Sequence, residues 1–215
     1  MRNLLNKELR LALHPTAYIF LAFSAMLLIP NYPYYVIFFY SGLAVFFTCL
    51  NGRENHDIGY TMNLPVRKKD IVGARFLVVI LLQILQTILA VPFAIIRQGF
   101  PMPGNQVGMD ANIAFFGLAY IMMGLFNLVF FGIYYRNVEK VGKALGFASF
   151  ATGLYMTIME TLTHALPLFR DRLDTKDPEY LSAKLIVLAV GVLVYGMLTW
   201  LAYRRAVRAF EKLDL

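Results

Sequence analysis

The sequence predicts an all-α polytopic membrane protein, with six transmembrane helices, an N-terminal interfacial helix and a short cytoplasmic helix between spans 2 and 3. Three observations carry that expectation. Of the 215 residues 59% are hydrophobic and only 15% are charged, more apolar surface than a globule of this size encloses. Apolar runs long enough to cross a bilayer, which takes about 20 residues, recur along the chain. Lys and Arg gather in short segments at the ends of those runs, so the net charge of +7 reads as membrane topology and not as a nucleic-acid patch. No nucleic-acid partner is expected.

Residues 1–13 are read as the interfacial helix. Leu4, Leu5, Leu9, Ala12 and Leu13 fall on one side, and Asn3, Asn6, Lys7 and Arg10 on the other, the pattern of a helix lying on a membrane surface. Glu8 interrupts the apolar side, and a plain extension of the first span stays open as the alternative. Glu8 and Arg10 also break any signal-peptide pattern, so the segment is expected to be retained.

Leu11 to Gly52 carries no formal charge over 42 residues, about two bilayer crossings. Ile29-Pro30-Asn31-Tyr32-Pro33 in its middle reads as a turn. Spans 1 and 2 therefore occupy 14–50, with Tyr32, Tyr34 and Tyr35 in an outer aromatic belt. The polar segment 51–75 follows, with five cations (Arg53, Arg67, Lys68, Lys69, Arg75) against three acids (Glu54, Asp57, Asp70). A short loop with that excess stays on the cytoplasmic side.

Spans 3 and 4 lie within 76–135. Phe76 to Ile96 is charge-free, with Pro92 expected to kink its outer end and Gln83, Gln86 and Thr87 on one face. Polar groups of this kind usually join helices. A Pro- and Gly-rich outer loop at 97–110 leads to a span at Ala111–Tyr135. Residues 136–215 hold spans 5 and 6, near Val141–Leu162 and Leu185–Tyr203, and a cytoplasmic tail; Asp177-Pro178-Glu179 has the look of a helix start. Of the twenty Lys and Arg, fifteen fall in inner segments and five in outer ones, which places both termini on the cytoplasmic side.

No phosphate-binding loop, HExxH, nucleophile elbow or CxxC occurs. ATP hydrolysis by this chain is not expected. Cys49 is the only cysteine; it reads as a small buried hydrophobe, and no metal site is expected. On span 5, Gly142, Gly146, Ser149, Gly153, Thr157, Glu160 and His164 recur three or four residues apart. Gly142, Gly146 and Gly153 are read as helix-packing residues. Glu160 and His164, with Gln83 and Gln86, are read as substrate-path or gate residues, because ionisable groups inside a membrane mark function by default. A structural hydrogen bond at Glu160 stays open.

Residues 51–64 form a short amphipathic helix, polar at Arg53, Glu54, Asn55 and Asp57 and apolar at Ile58, Tyr60, Met62 and Leu64, stopped by Pro65. A helix this short does not persist alone in water, so a docking partner is expected. Six spans, Asn51-Gly52-Arg53-Glu54 at the exit of span 2, the run from Leu64-Pro65-Val66 to Asp70-Ile71-Val72 and the Lys7-Glu8-Leu9 start resemble the permease subunits of ABC-2 type ABC transporters. The small permeases of bacterial peptide exporters, such as those for phenol-soluble modulins, are the most similar kind.

The resemblance implies that Arg53, Glu54, Asn55, His56, Asp57, Ile58 and Tyr60 form a coupling helix seated on a separate ABC ATPase that holds ATP and Mg. It also implies no cofactor in this chain, a homodimer or a heterodimer with a related permease in the bilayer, and export of peptide cargo. Family members often carry a hydroxyl residue where Arg67 stands, so entry into span 3 is expected to differ here. Two other readings stand beside it: an intramembrane protease using glutamate and histidine, and a non-transporting membrane scaffold.

Overall fold

The computed structural model describes residues 2–99 and 104–213; the Pro-rich stretch of the outer loop at 100–103 lies outside them. The chain opens on α1 (Arg2–Lys7), which continues as a π-helical turn at Glu8–Ala12. After a break at 13–15 comes α2 (Thr16–Ala22), prolonged by a 3₁₀ segment at Phe23–Leu28. These two stretches meet at a bend of 85°. Pro15, which cannot continue the preceding helix, stands at that bend. Then follow α3 (Tyr35–Glu54), α4 (Asp57–Met62), α5 (Lys68–Gly99), α6 (Ile113–Tyr134), α7 (Val141–Ala165) and α8 (Leu181–Glu211).

Among the described residues, four helices (α3, α5, α6 and α8) are long and apolar enough to cross a membrane. The bent N-terminal pair makes five if it counts as one broken span. The predicted fifth span, α7, is the one that falls short of that test; it has 25 residues and ample length at about 1.5 Å per residue. Its glycines, hydroxyls and Glu160 dilute its hydropathy.

Several predicted boundaries move, for local reasons. The helix expected over 51–64 is two pieces: α3 runs on to Glu54, and His56, in the left-handed region at φ 50°, turns the chain before α4. Histidine is among the few non-glycine residues that tolerate this conformation. Asp177-Pro178-Glu179 lies in a turn, and α8 starts at Leu181. Charge ends an apolar run but not a helix, so α5 begins before Phe76 and α8 continues through Arg204, Arg205 and Arg208.

The core has two storeys. Toward the α4 end Val45, Phe76, Phe130, Phe131, Tyr134 and Phe210 pack together; toward the opposite end Tyr35, Phe38, Phe115 and Met122 do so. Between them α6 crosses α8 at backbone contact. A Cβ on Gly191 would lie 2.0 Å from the Gly117 carbonyl oxygen, so only glycine fits there. About two to three turns further along the same pair of helices, Gln83 and Asn127 exchange amide hydrogen bonds of 2.9 and 3.0 Å, Tyr195 donates to Gln83 at 2.8 Å, and Asn127 donates to Thr199 at 3.1 Å. Four polar side chains thereby satisfy one another among α5, α6 and α8, as buried polar groups must.

Candidate functional site at the α4 end

The N-terminal helix, the short helix α4 and the start of α5 converge on four charged side chains. Arg75, one helical turn or two into α5, lies almost wholly buried and pairs with the buried Glu8. A second guanidinium nitrogen of Arg75 donates to Glu8 at 3.3 Å and to Asp57 at 3.1 Å, and a third lies 3.7 Å from the Cys49 sulfur. Lys7 reaches Asp57 at 2.6 Å, Glu8 at 3.1 Å and the Thr61 hydroxyl at 2.9 Å. Two cations and two carboxylates cancel. A buried charge costs several kcal/mol unless it is paired and hydrogen-bonded in this way.

Glu8 is therefore no flaw in an amphipathic pattern. It is the inward-facing member of that face, while Leu9 and Leu11 point outward. The π-helical turn that begins at Glu8 rotates the register just enough to separate the two. The pairing left a trace in the sequence: a lone acid on an apolar helical face, and a lone base against a charge-free span.

The seven residues predicted to couple to a partner divide into two sets. Asp57 and Ile58 face inward, Asp57 to the charge cluster and Ile58 to the core. Glu54, Asn55, His56 and Tyr60 are exposed, and Arg53 is partly so, bridging to the exposed Glu54. Arg53 also donates at 3.2 Å to the carbonyl of Glu139, in the loop between α6 and α7. The α3–α4 and α6–α7 loops thus form one surface. A notch of about 150 Å³, lined by Gly52, His56, Gly59, Tyr134, Val138 and Glu139 among others, opens between them.

The remaining predicted residues sit elsewhere. The amide of Gln83 is engaged by Asn127 and Tyr195, and that of Gln86 donates to Ser24 at 2.9 Å, tying α5 to the end of the first membrane segment. Glu160 is half-buried near the outer end of α7, packed on Gly108, where a Cβ would come within 2.9 Å of its side chain. His164, one turn on, is exposed. Gly142, Gly146 and Gly153 meet nothing within 4 Å of an added Cβ. Within this chain the glycines that bring helices together are Gly117 and Gly191.

A second charged cluster, at the outer end, went unpredicted. Lys184 is fully buried, donating to the Thr175 carbonyl at 2.6 Å and to Asp177 at 2.9 Å. Asp177 also accepts from the Ile113 amide at 3.2 Å, and Asn112, the cap of α6, donates to the carbonyls of Leu173 and Thr175. The loop between α7 and α8 is stitched to the top of α6. Beside it Asp174 accepts the Asp110 amide at 2.6 Å. Burial, with the neighbouring Asp110 charge, pushes the Asp174 carboxyl up to about 7 against the pull of His164 and Lys184. Burial raises Asp110 as well.

Comparison with known proteins gives one match. The family model described as ABC-2 family transporter protein covers residues 3–210. No curated protein and no solved structure matches, so the likeness to peptide exporters rests on residue pattern alone.

Proposed function

The chain belongs to the ABC-2 family of transporter proteins, and on that premise we propose that it is a six-span export permease whose cytoplasmic surface, Arg53 to Tyr60 with the 137–140 loop, seats an ABC ATPase. The family makes it the non-catalytic membrane component of an ABC transporter, with hydrolysis in a partner ATPase. The finer reading is ours. Both termini lie in the cytoplasm of a bacterial cell, with α7 as the fifth crossing and the bent N-terminal pair supplying the first. Two copies, or one copy and a related permease, meet along α7, and the cargo is an amphipathic or hydrophobic peptide.

The observation that carries this reading is the division of the coupling segment. Its outer residues offer a polar, exposed surface with a notch, while its inner residues are held by charge to the N-terminal helix and α5. An ATPase that moves the segment thereby moves a span, the arrangement a rigid-body switch between inward and outward states needs. For the dimer, the support is the open stripe of α7: Gly142, Gly146 and Thr157 are exposed and no helix of this chain approaches the glycines. Small and hydroxyl residues suit close helix contact in lipid better than they suit lipid itself. Gln83, Gln86, Glu160 and His164 remain the residues proposed for the path and its outer gate.

Co-purification tests it. Solubilised from its native membrane, the tagged chain should retain a nucleotide-binding subunit in equimolar amount, and Glu54→Lys should release it. Recovery of the folded chain without any such subunit would overturn the reading.

A further inference from the structure

We propose that a hollow between the cytoplasmic ends of α6 and α8 binds the phosphate headgroup of an anionic lipid. The hollow has a volume of about 720 Å³ and is lined by Arg136, Arg205, Arg208 and Lys212, with Gly132, Ala209 and Leu213 as its apolar lining. From the proposed function it borrows only the leaflet. No ATPase takes part in it.

The four cations come from two separate elements. Arg136 follows the last turn of α6, and the other three project from the last turns of α8 and its cap. Among the described residues none of the four side chains makes an ion pair or a hydrogen bond. Their neighbours behave differently. Arg204 lies over the Trp200 ring at 4.7 Å, and Lys68 donates to the carbonyls of Glu211 and Leu213. Like charges gathered on one concavity repel one another unless an anion joins them. The bias of basic residues toward the cytoplasm explains their sign, but not their convergence on a single hollow.

Depth and size select the ligand. Trp200 is half-exposed, one turn before Arg204, and tryptophan marks the level of the membrane–water boundary. Arg205, Arg208 and Lys212 follow within the next three turns, at the depth of the headgroups. The volume is that of a small-molecule site, room for a glycerophosphate headgroup. Its apolar residues, Gly132, Ala209 and Leu213, suit the glycerol and upper acyl carbons better than they suit a free ion. Basic pockets between membrane helices on the cytoplasmic side have this chemistry.

The test uses the purified chain in nanodiscs of mixed phosphatidylglycerol and phosphatidylcholine, with native mass spectrometry to count the lipids retained. Wild type should retain phosphatidylglycerol over phosphatidylcholine by on the order of tenfold or more. Arg136→Gln with Arg208→Gln should abolish the preference, whereas Lys140→Gln with Lys143→Gln, an equal loss of charge outside the hollow, should keep it. Both pairs are exposed, and circular dichroism checks that both fold; Arg205→Gln alone, which removes one lining charge, should reduce the preference in either case. Equal retention of the two lipids by wild type overturns the proposal. So does equal loss in both double variants, which would make the effect one of general charge, or inorganic phosphate displacing phosphatidylglycerol at equal concentration, which would make the ligand a small anion.

Discussion

The two ends of this molecule bury charge in opposite ways. At the α4 end Lys7 and Arg75 face Glu8 and Asp57, so every charge has a partner of opposite sign in contact. At the outer end the Lys184–Asp177 pair is compensated, but Asp174 takes up the Asp110 amide beside a second carboxyl and holds its proton to about pH 7. A balanced cluster is a mechanical joint. An unbalanced one is a joint whose tightness depends on protonation.

The largest effect should come from unbalancing the balanced end. Arg75→Gln leaves the buried Glu8 with Lys7 as its one remaining cation and Asp57 without its guanidinium, and should cost about 3 kcal/mol, read as a loss of folded protein in thermal unfolding. The exchange of Glu8→Arg with Arg75→Glu should recover part of that loss. If Arg75→Gln unfolds at the wild-type temperature, the cluster holds nothing together. A smaller cost should follow at the outer end from Lys184→Met, which strips a donor from Thr175 and Asp177. Asp177 keeps its amide partners, so about 1–3 kcal/mol is expected.

The third prediction concerns pH. In the unfolded chain Asp174 loses its proton near 3.8 and in the folded chain near 7. Between those values the folded state binds the extra proton, so stability falls as pH rises across that window. The shift is worth at most about 2–3 kcal/mol between pH 5 and pH 8, and each kcal/mol moves the melting temperature of a chain of this length by about 2–4 °C, so a drop of several degrees is expected. Asp174→Asn should flatten the profile, and an equal slope in that variant would assign the effect elsewhere. The smallest stability effect belongs to Glu54→Lys. Exposed substitutions usually stay within about 0.5 kcal/mol, so its consequence should be confined to ATPase retention. A large loss of stability would show that the outward half of the segment is also structural.

The same contrast explains what the sequence made legible. Long charge-free runs predicted α3, α5, α6 and α8, because burial in lipid is written in composition. The two-part nature of the coupling segment was hidden, since it depends on one left-handed residue, His56. The pairing of Glu8 with Arg75 depends on a contact across 67 positions, and periodicity reports only which face a residue occupies. The glycines of α7 drew attention by their spacing, yet Gly117 and Gly191 carry the close crossing, because the partner helix decides which small residue matters. The outer cluster escaped for a similar reason: Lys184 and Asp174 lie in a stretch of balanced charge that resembles ordinary solvated loop.

The central claim is that the exposed half of the coupling segment meets an ATPase while the other half grips the permease. Two exposed tyrosines at opposite ends test it directly, Tyr60 on α4 and Tyr180 before α8, at 68% and 52% exposure. Each is replaced by a photo-crosslinking phenylalanine in the native membrane and irradiated. The account predicts an adduct with a nucleotide-binding subunit from position 60 and none from position 180. Adducts from position 180, or none from position 60 in a folded chain, would contradict it.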